Sequence, residues 1–450
     1  MNLQKKRVLV VGLGRTGVAL VRFLAREGAV VTVSDIKPPS SLKGQLRMLK
    51  DIEFRLECGH CLKTFLENDL IVLSPGVSPH LAELREARKS GIPILSELEL
   101  ASHFIKVPII AVTGTNGKTT TIALIGKVLR ENGLCVWVGG NIGRPLISAA
   151  RLDNLDYIVA EVSSFQLEVT EKFHPYIAIL LNISEDHLDR HRDINQYLSC
   201  KTRIFSAQTK DDWAILDNDN PQIASVSTQA TRVFFSDREE IIPGAYLKDG
   251  YIYSCLNGLN WGLDTQPLHL LGKHNYKNIM ATLLVAQIVG CQFNATKKVI
   301  YEFKGLPHRL EWIGSIGNIN FYNDSKGTNV GATISALDSL DPPIVLIAGG
   351  VSKGQGFLPL REAVKKGVRA AVLFGEAKGE IKRALDGAVP TLEVSNLKEA
   401  TVAAIDLAKN KGNILFSPAC ASFDMFKDYR ERGLAFKRIV KEIKTQNEKI

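Results

Sequence analysis

The chain is poor in the features that mark secreted, membrane-spanning and nucleic-acid-binding proteins. It holds only 7 cysteines in 450 residues. These (Cys58, Cys61, Cys135, Cys200, Cys255, Cys291 and Cys420) are odd in number and scattered, which argues for reduced thiols rather than a disulfide framework. Cys58-Gly59-His60-Cys61 is the one close pair, and the sequence offers neither the two further ligands that zinc needs nor a thioredoxin-like context. No run of about 18 uncharged apolar residues occurs. Residues 1–7 lead straight into a strand pattern rather than a signal-peptide core, so a cytoplasmic location without membrane insertion is expected. The net charge is +9, but no dense basic block or aromatic-interleaved basic stripe accompanies it. Anionic small substrates or a solvated positive surface account for the excess, and no nucleic-acid partner is expected. The basic residues 437–449 fit an amphipathic or fraying helix.

What is present points to phosphate. Residues 113–120, Thr113-Gly114-Thr115-Asn116-Gly117-Lys118-Thr119-Thr120, follow the apolar run 107–112 and precede a helical pattern over 122–129. A glycine-rich turn between a buried strand and a helix start cradles an anion with backbone N–H groups. Lys118 reaches the β/γ-phosphates and the Thr119 hydroxyl can ligate Mg²⁺. The common loop has glycine five residues before the Gly117-Lys118 pair; here that position is Val112 and the glycine is Gly114, so the loop is a compact variant.

The length allows about three domains, and the 45% apolar content gives each a core to bury. Strand and helix patterns alternate throughout. Residues 7–11, a helix over 17–27 and residues 30–35 make a βαβ opening, followed by strands at 70–73 and 93–95 and a boundary near residue 98. The middle section has strands at 157–162, 177–181 and 213–216, then an irregular β-rich stretch over 231–271 that suggests a smaller appended sheet. A third series has strands at 344–348, 370–374 and 413–416. The expected architecture is α/β with three domains, 1–98, 99–305 and 306–450: a Rossmann-like first domain, a central P-loop-type parallel sheet with a small appended sheet, and a Rossmann-like last domain.

Gly12-Leu13-Gly14-Arg15-Thr16-Gly17, with Asp35 ending the second strand, fits a dinucleotide and another diphosphate nucleotide equally well. Glu161 lies at a strand end, where the crevice of a parallel sheet opens, and is a Mg²⁺ candidate. Residues 182–189 follow the next strand and place His187 and several carboxylates at the same edge. Lys201 sits in a helical pattern. Lys326 and Lys353 lie in glycine-containing loops beside apolar strands, where function concentrates.

Taken together these blocks resemble the Mur ligase family over nearly the whole chain. The resemblance rests on Gly12-x-Gly14-x-x-Gly17, Ser74-Pro75-Gly76, residues 113–120, Gly139-Gly140-Asn141-Ile142-Gly143, residues 161–166 and 182–189, Gly272-Lys273-His274-Asn275-x-x-Asn278, residues 305–309 and 323–329, and Ser417-Pro418-Ala419-Cys420-Ala421-Ser422. The last two blocks resemble those of the D-glutamate-adding members. The Asp-Asn-Pro-Arg motif of the diaminopimelate or lysine adders is absent, and Asn116 stands where L-alanine adders usually have histidine.

The resemblance implies a ligase that uses ATP and two Mg²⁺ ions to join D-glutamate to UDP-N-acetylmuramoyl-L-alanine in peptidoglycan precursor synthesis. The alanyl carboxylate would attack the γ-phosphate, and the D-glutamate amine would displace phosphate from the acyl phosphate. Gly14, Thr16, Asp35, Gly76, Asn141 and His187 match positions for the UDP substrate, with Ile36 departing from the family's usual hydroxyl residue. Gly114 to Thr120, Asn278, Arg309 and Asp324 match ATP positions. Thr119, Glu161, His187 and Lys201, the last as an N6-carboxylated (carbamate) lysine, match metal ligands. Lys326, Thr328, Lys353, Ser422 and Tyr429 match the D-glutamate pocket, which Phe423 is expected to reshape where leucine is common. Lys118, His187, Lys201, Arg309 and Asp324 would carry catalysis in a monomer whose third domain closes on ligand binding. A nicotinamide dehydrogenase, a folylpolyglutamate-type ligase and a nucleotide-dependent binding module are the competing classes.

Overall fold

Val8-Leu9-Val10-Val11 and Leu70-Ile71-Val72-Leu73 show no polar alternation, and each is buried on both faces: Leu9, Val11, Ile71 and Leu73 join one apolar layer, Val8, Val10, Leu70 and Val72 the other. Such runs belong to parallel strands covered by helices on both sides. In the computed structural model, which describes residues 1–186, 190–270, 272–354 and 356–447, the chain folds around three sheets, one all parallel and two parallel at their centres.

The first sheet holds β1 (Arg7–Val11), β2 (Val30–Asp35), β3 (Arg55–Cys58), β4 (Leu70–Leu73) and β5 (Ile94–Ser96). Its order is β3-β2-β1-β4-β5, all parallel. Strand order reverses between β1 and β4, which opens a crevice beyond their C-terminal ends. The second sheet holds β6 (Ile109–Thr113), β7 (Val136–Gly140), β8 (Tyr157–Glu161), β9 (Ile177–Leu180), β10 (Trp213–Asp217), β11 (Thr231–Ser236), β12 (Gly244–Lys248), β13 (Tyr251–Leu256) and β14 (Leu259–Asp264). Here β6 lies between β9 and β8, in the order β14-β13-β12-β11-β10-β9-β6-β8-β7. The third sheet holds β15 (Glu311–Ile316), β16 (Asn318–Asn323), β17 (Ile344–Gly349), β18 (Val368–Phe374), β19 (Thr391–Glu393) and β20 (Lys411–Phe416), in the order β15-β16-β20-β17-β18-β19.

The three-domain α/β expectation holds, with one refinement. The small appended sheet is continuous with the central one: β12 pairs parallel to β11, Phe234 opposite Gly244, and an antiparallel meander continues through β13 and β14. The edge of β11 is thereby paired rather than left open. In the third sheet β15 runs antiparallel to β16, an addition the sequence did not signal. The C-terminal helix begins at Tyr429, ahead of the basic stretch, and runs to Asn447. Among the described residues no helix is long and apolar enough to cross a membrane.

Candidate active site

β6 delivers the chain into a loop whose glycines are required by space. Gly114 has φ +144° and Gly117 φ +84°, and a Cβ on Gly117 would meet Asn278 Oδ1 at 2.4 Å. The helix Lys118–Glu131 follows without a side-chain cap, so its first turn presents backbone N–H groups to an anion. The chain leaving β9 braces the loop. Thr115 N–H donates to the Asn182 carbonyl (3.1 Å), Asn116 N–H to Asn182 Oδ1 (2.9 Å), and Ser184 N–H to Thr115 Oγ1 (3.0 Å). A cavity of about 360 Å³ opens beside it, lined in part by Asn116, Gly117, Thr120, Asn278, Arg309 and Asp324. That volume is within the range of small-ligand pockets.

Register places the first carboxylate: Val112 and Glu161 are partners across β6 and β8. Glu161, 2% exposed, accepts from Thr119 Oγ1 (2.7 Å) and Asn141 Nδ2 (2.9 Å). Thr119 Oγ1 in turn accepts from Arg309 Nη2. A hydroxyl and a carboxylate side by side are the hard oxygen donors that Mg²⁺ prefers. Two lysines meet next to them on a single carbonyl. Lys118 Nζ donates to the carbonyls of Gly114 (2.7 Å) and Thr115 (2.8 Å), and Lys201 Nζ to that of Gly114 (2.9 Å).

Lys201 reaches this point from the helix Ile194–Thr202, which Asp193 caps. It is 1% exposed, and its Nζ stands 4.4 Å from the centre of the Tyr197 ring. Burial lowers the pKa of Lys118. Burial, and then the neighbouring Lys118 charge, hold that of Lys201 well below the ordinary lysine value.

The third domain contributes from the C-terminal ends of its strands. Asp324, after β16, accepts from Ser417 Oγ (2.7 Å) and Leu310 N–H (3.1 Å), and burial pushes its pKa up to about 7. Lys326 lies over the Tyr429 ring at 4.3 Å; burial, then the Arg309 charge, pulls its pKa down to about 7. Lys353, after β17, donates to Thr328 Oγ1 and Asp186 Oδ1, each at 3.3 Å. Asn329 Nδ2 donates to Asp186 Oδ2 (3.0 Å) and to Asn116 Oδ1 (3.4 Å). With Arg309 on Thr119, these contacts seat the third domain on the phosphate loop of the second. Ser422 is buried, and the bridge between Val351 and Ala421 holds its segment beside that of Lys353. Phe423, expected to reshape this pocket, is 74% exposed and turns to solvent.

The first domain forms a separate locus. Gly14 precedes the helix Arg15–Arg26, which also lacks a side-chain cap. A Cβ on Gly17 would meet the Gly12 carbonyl oxygen at 2.1 Å, so only glycine lets this helix pack so close to β1. Asp35 Oδ2 accepts from Leu13 N–H (2.7 Å) and Oδ1 from Lys37 N–H (2.8 Å), which fixes the turn. Thr16 is half-buried, and Gly76 and Ile36 are exposed at the crevice. Asn141 joins the two loci: its carbonyl accepts from Arg15 Nη2 (3.2 Å), while its amide holds Glu161. His187 lies outside the described residues.

Three residues that sequence reasoning passed over hold this arrangement. Arg190 bonds Glu168 and donates to the carbonyl of Val77 (3.0 Å), which ties the first domain to the second. Tyr197 floors the Lys201 pocket. Arg432, fully buried, donates to the carbonyls of Cys420 (3.0 Å), Ala421 (3.1 Å) and Ser325 (2.9 Å) and so joins the Lys326 and Ser422 loops. A signal for Arg432 existed: it shares a helical stripe with the buried Phe436, Ile439 and Val440. Cys58 and Cys61 are free and exposed.

A three-domain α/β molecule whose glycine loop has the geometry of a phosphate cradle and meets the third domain through Arg309 and Asn329 fits a nucleotide-dependent enzyme, and comparison with known proteins narrows it. Models of the Mur ligase MurD-like N-terminal domain, the Mur ligase middle domain and the Mur ligase glutamate ligase domain match residues 6–96, 112–286 and 308–420. The chain is 45% identical over 447 residues to a protein of Geotalea daltonii, covering 98% of this chain and 99% of that one. It is 42% identical over 452 residues to a protein of Caldanaerobacter subterraneus subsp. tengcongensis, covering 99% and 100%. Both relatives are named UDP-N-acetylmuramoylalanine--D-glutamate ligase. Among solved structures, MurF ligase from Thermotoga maritima in complex with ADP superposes with a TM-score of 0.60 at 15% identity, covering 98% of this chain and 96% of that one. UDP-N-acetylmuramate-alanine ligase MurC from the same organism gives 0.57 at 19%, covering 98% and 100%. The chain belongs to the Mur ligase family.

Proposed function

We propose that this chain joins D-glutamate to UDP-N-acetylmuramoyl-L-alanine with cleavage of ATP to ADP and phosphate, through an acyl phosphate. The observation that carries the reading is the convergence of Lys118, Lys201, Thr119 and Glu161 on one loop, with Arg309, Lys326 and Lys353 brought over it by the third domain. Support for the D-glutamate subtype comes from relatives at 42–45% identity that bear that name over nearly their full length.

The difficulty of the reaction is charge: a carboxylate must attack a polyanion. In this reading the loop N–H groups, Lys118 and Arg309 hold the triphosphate and take up the charge on the γ-phosphoryl oxygens. Thr119 and Glu161 would hold Mg²⁺, which neutralises phosphoryl charge when bound. The alanyl carboxylate oxygen forms a bond to γ-phosphorus as the bond to ADP breaks. The D-glutamate amine then attacks the acyl carbon, phosphate leaves, and the amine proton passes to solvent. Lys326, Thr328, Lys353 and Ser422 supply cationic and hydroxyl donors for the two carboxylates of D-glutamate. Gly14, Thr16, Asp35 and Gly76 line the crevice for the UDP end, and Asn141 links it to the reacting centre.

Lys201 suits N6-carboxylation. Its amine is held toward the neutral, nucleophilic form and shares a carbonyl with Lys118. Bond formation between Nζ and CO₂, with loss of a proton to water, replaces a second cation at that carbonyl by an anionic oxygen donor. The test is phosphate release from ATP with Mg²⁺ and UDP-N-acetylmuramoyl-L-alanine, with D-glutamate, L-glutamate or no amino acid. Release with D-glutamate alone supports the reading; release with a different amino acid keeps the class and removes the subtype.

A further inference from the structure

We propose that Glu168, His191 and Cys200 form a site for a borderline-soft divalent cation, Zn²⁺, distinct from the Mg²⁺ donors, and that its occupation slows the ligase. One ligand atom from each lies within 4.8 Å of those of the other two. The three come from separate segments that pack together: Glu168 ends the short helix Ser164–Leu167, His191 lies in the turn before Asp193, and Cys200 sits in the last turn of the helix Ile194–Thr202. Tetrahedral zinc with bonds of about 2.0–2.3 Å spaces its ligand atoms about 3.5 Å apart. Closing the trio around such an ion draws its atoms together by about 1 Å, through rotation of the Glu168 carboxylate and a shift of the helical turn that carries Cys200.

The donor chemistry separates this site from the one on the phosphate loop. Thr119 and Glu161 offer oxygen alone, whereas this trio offers sulfur, imidazole nitrogen and carboxylate, a set that selects zinc over magnesium. The site is also built. His191 is 1% exposed; its Nε2 meets Ser164 Oγ at 3.0 Å, and its ring is stacked on Phe165 (5.5 Å) and packed on Tyr197 (5.0 Å). That fixes the ring with Nδ1 facing Glu168 Oε1 at 3.9 Å. Such outer contacts orient metal-binding imidazoles. Arg190 Nη2 holds Glu168 Oε2 at 2.5 Å, and Arg190 Nε meets Oε1 at 3.3 Å. The carboxylate can keep Oε2 on Arg190 and turn Oε1 to the metal. Cys200 is only half-buried, which leaves room for a water as fourth ligand.

The consequence for catalysis follows from position. Cys200 precedes Lys201 in the same helical turn, and His191 packs on the Tyr197 ring that floors Lys201. Drawing Cys200 toward Glu168 moves that helix relative to the Gly114 carbonyl, where Lys201 must stay. The binding claim is independent of the D-glutamate reading; the effect on turnover rests on it.

The experiment titrates the metal-free full-length chain with Co²⁺ in excess Mg²⁺, reading the thiolate-to-cobalt charge-transfer band, and repeats the titration with Zn²⁺ as competitor. One equivalent of band is expected, displaced by Zn²⁺. Cys200→Ser abolishes it, His191→Gln weakens binding about tenfold or more, and Cys58→Ser/Cys61→Ser leaves it intact. Zn²⁺ then inhibits the native ligase and spares Cys200→Ser, whose Mg²⁺-dependent turnover is otherwise unchanged. No band, a band that survives Cys200→Ser, or one lost with the Cys58/Cys61 pair overturns the site. Binding with turnover unaffected overturns the inhibition. A chain that binds Zn²⁺ through Cys200 but ligates no D-glutamate instead contradicts the proposed function.

Discussion

The first and second domains each carry a strand, a glycine turn and an uncapped helix, yet their surroundings differ. Around Gly12 to Gly17 the neighbour is Asp35, both of whose oxygens are spent on backbone N–H groups of the turn. Around Gly114 to Gly117 the neighbours are Lys118, Lys201, Thr119 and Glu161, with Arg309 arriving from the third domain. The same backbone device is thus rigidified in one place and loaded with charge in the other. The first turn is suited to holding a ligand still and the second to managing charge that changes during a reaction. Cradle geometry alone does not separate the two roles; the side chains that face it do.

Substitutions break this contrast with effects of decreasing size. Lys118→Ala removes the cation that the second cradle holds on the Gly114 and Thr115 carbonyls. Turnover falls by about 10³-fold, with circular dichroism and melting temperature unchanged; a loss of less than tenfold would place the chemistry elsewhere. Lys201→Ala lowers kcat by about 10²-fold and recovers in part with acetate or formate, which supply the missing carboxylate oxygen. Without that recovery, the N6-carboxylation is wrong. In the first cradle, Asp35→Ala strands the Leu13 and Lys37 amides at about 1–3 kcal/mol. It should raise the KM for the UDP substrate about tenfold while moving kcat little. A change confined to kcat would erase the distinction between the two turns.

The smallest effect lies at the seam between the domains. Glu97 caps no partner with Oε2, while Oε1 accepts from Ile147 N–H (2.7 Å), and burial pushes its pKa up to about 7. A carboxyl whose pKa is raised on folding contributes stability that is whole below its unfolded pKa, near 4.5. That contribution is lost as pH rises toward 7, because the folded state must then ionise a buried group. Glu97→Gln therefore melts about 2 °C or more above the native chain at pH 8 and level with it at pH 5. The opposite order, a gain at pH 5 only, would refute the assignment.

Much of this contrast was legible in the sequence, for a physical reason. Parallel strands buried on both faces must be continuous apolar runs, and cradle loops need glycine where φ is positive, so β1, β4, β6 and the residues 113–120 declare themselves locally. The lysine pair did not. Lys201 is 83 residues beyond Lys118, and only the packing of the helix Ile194–Thr202 against the loop brings both to the Gly114 carbonyl. Arg190 was silent because its partners, Glu168 and the Val77 carbonyl, lie 22 and 113 residues away; Arg432 left only its place in a buried helical stripe, since the carbonyls it bonds leave no compositional trace. The joining of β12 to β11 depends on edge pairing between strands whose alternation is irregular, and no local pattern encodes it.

The measurement closest to the central claim follows an isotope. UDP-N-acetylmuramoyl-L-alanine labelled with ¹⁸O in its alanyl carboxylate is incubated with ATP, Mg²⁺ and D-glutamate, and both products are weighed by mass spectrometry. One ¹⁸O is expected in the released phosphate, with a single amide product heavier by one glutamyl residue, formed with D-glutamate and not with L-glutamate. Phosphate free of label would contradict the acyl phosphate, and with it the assignment of Lys118, Lys201 and Glu161 to a carboxylate-activating centre.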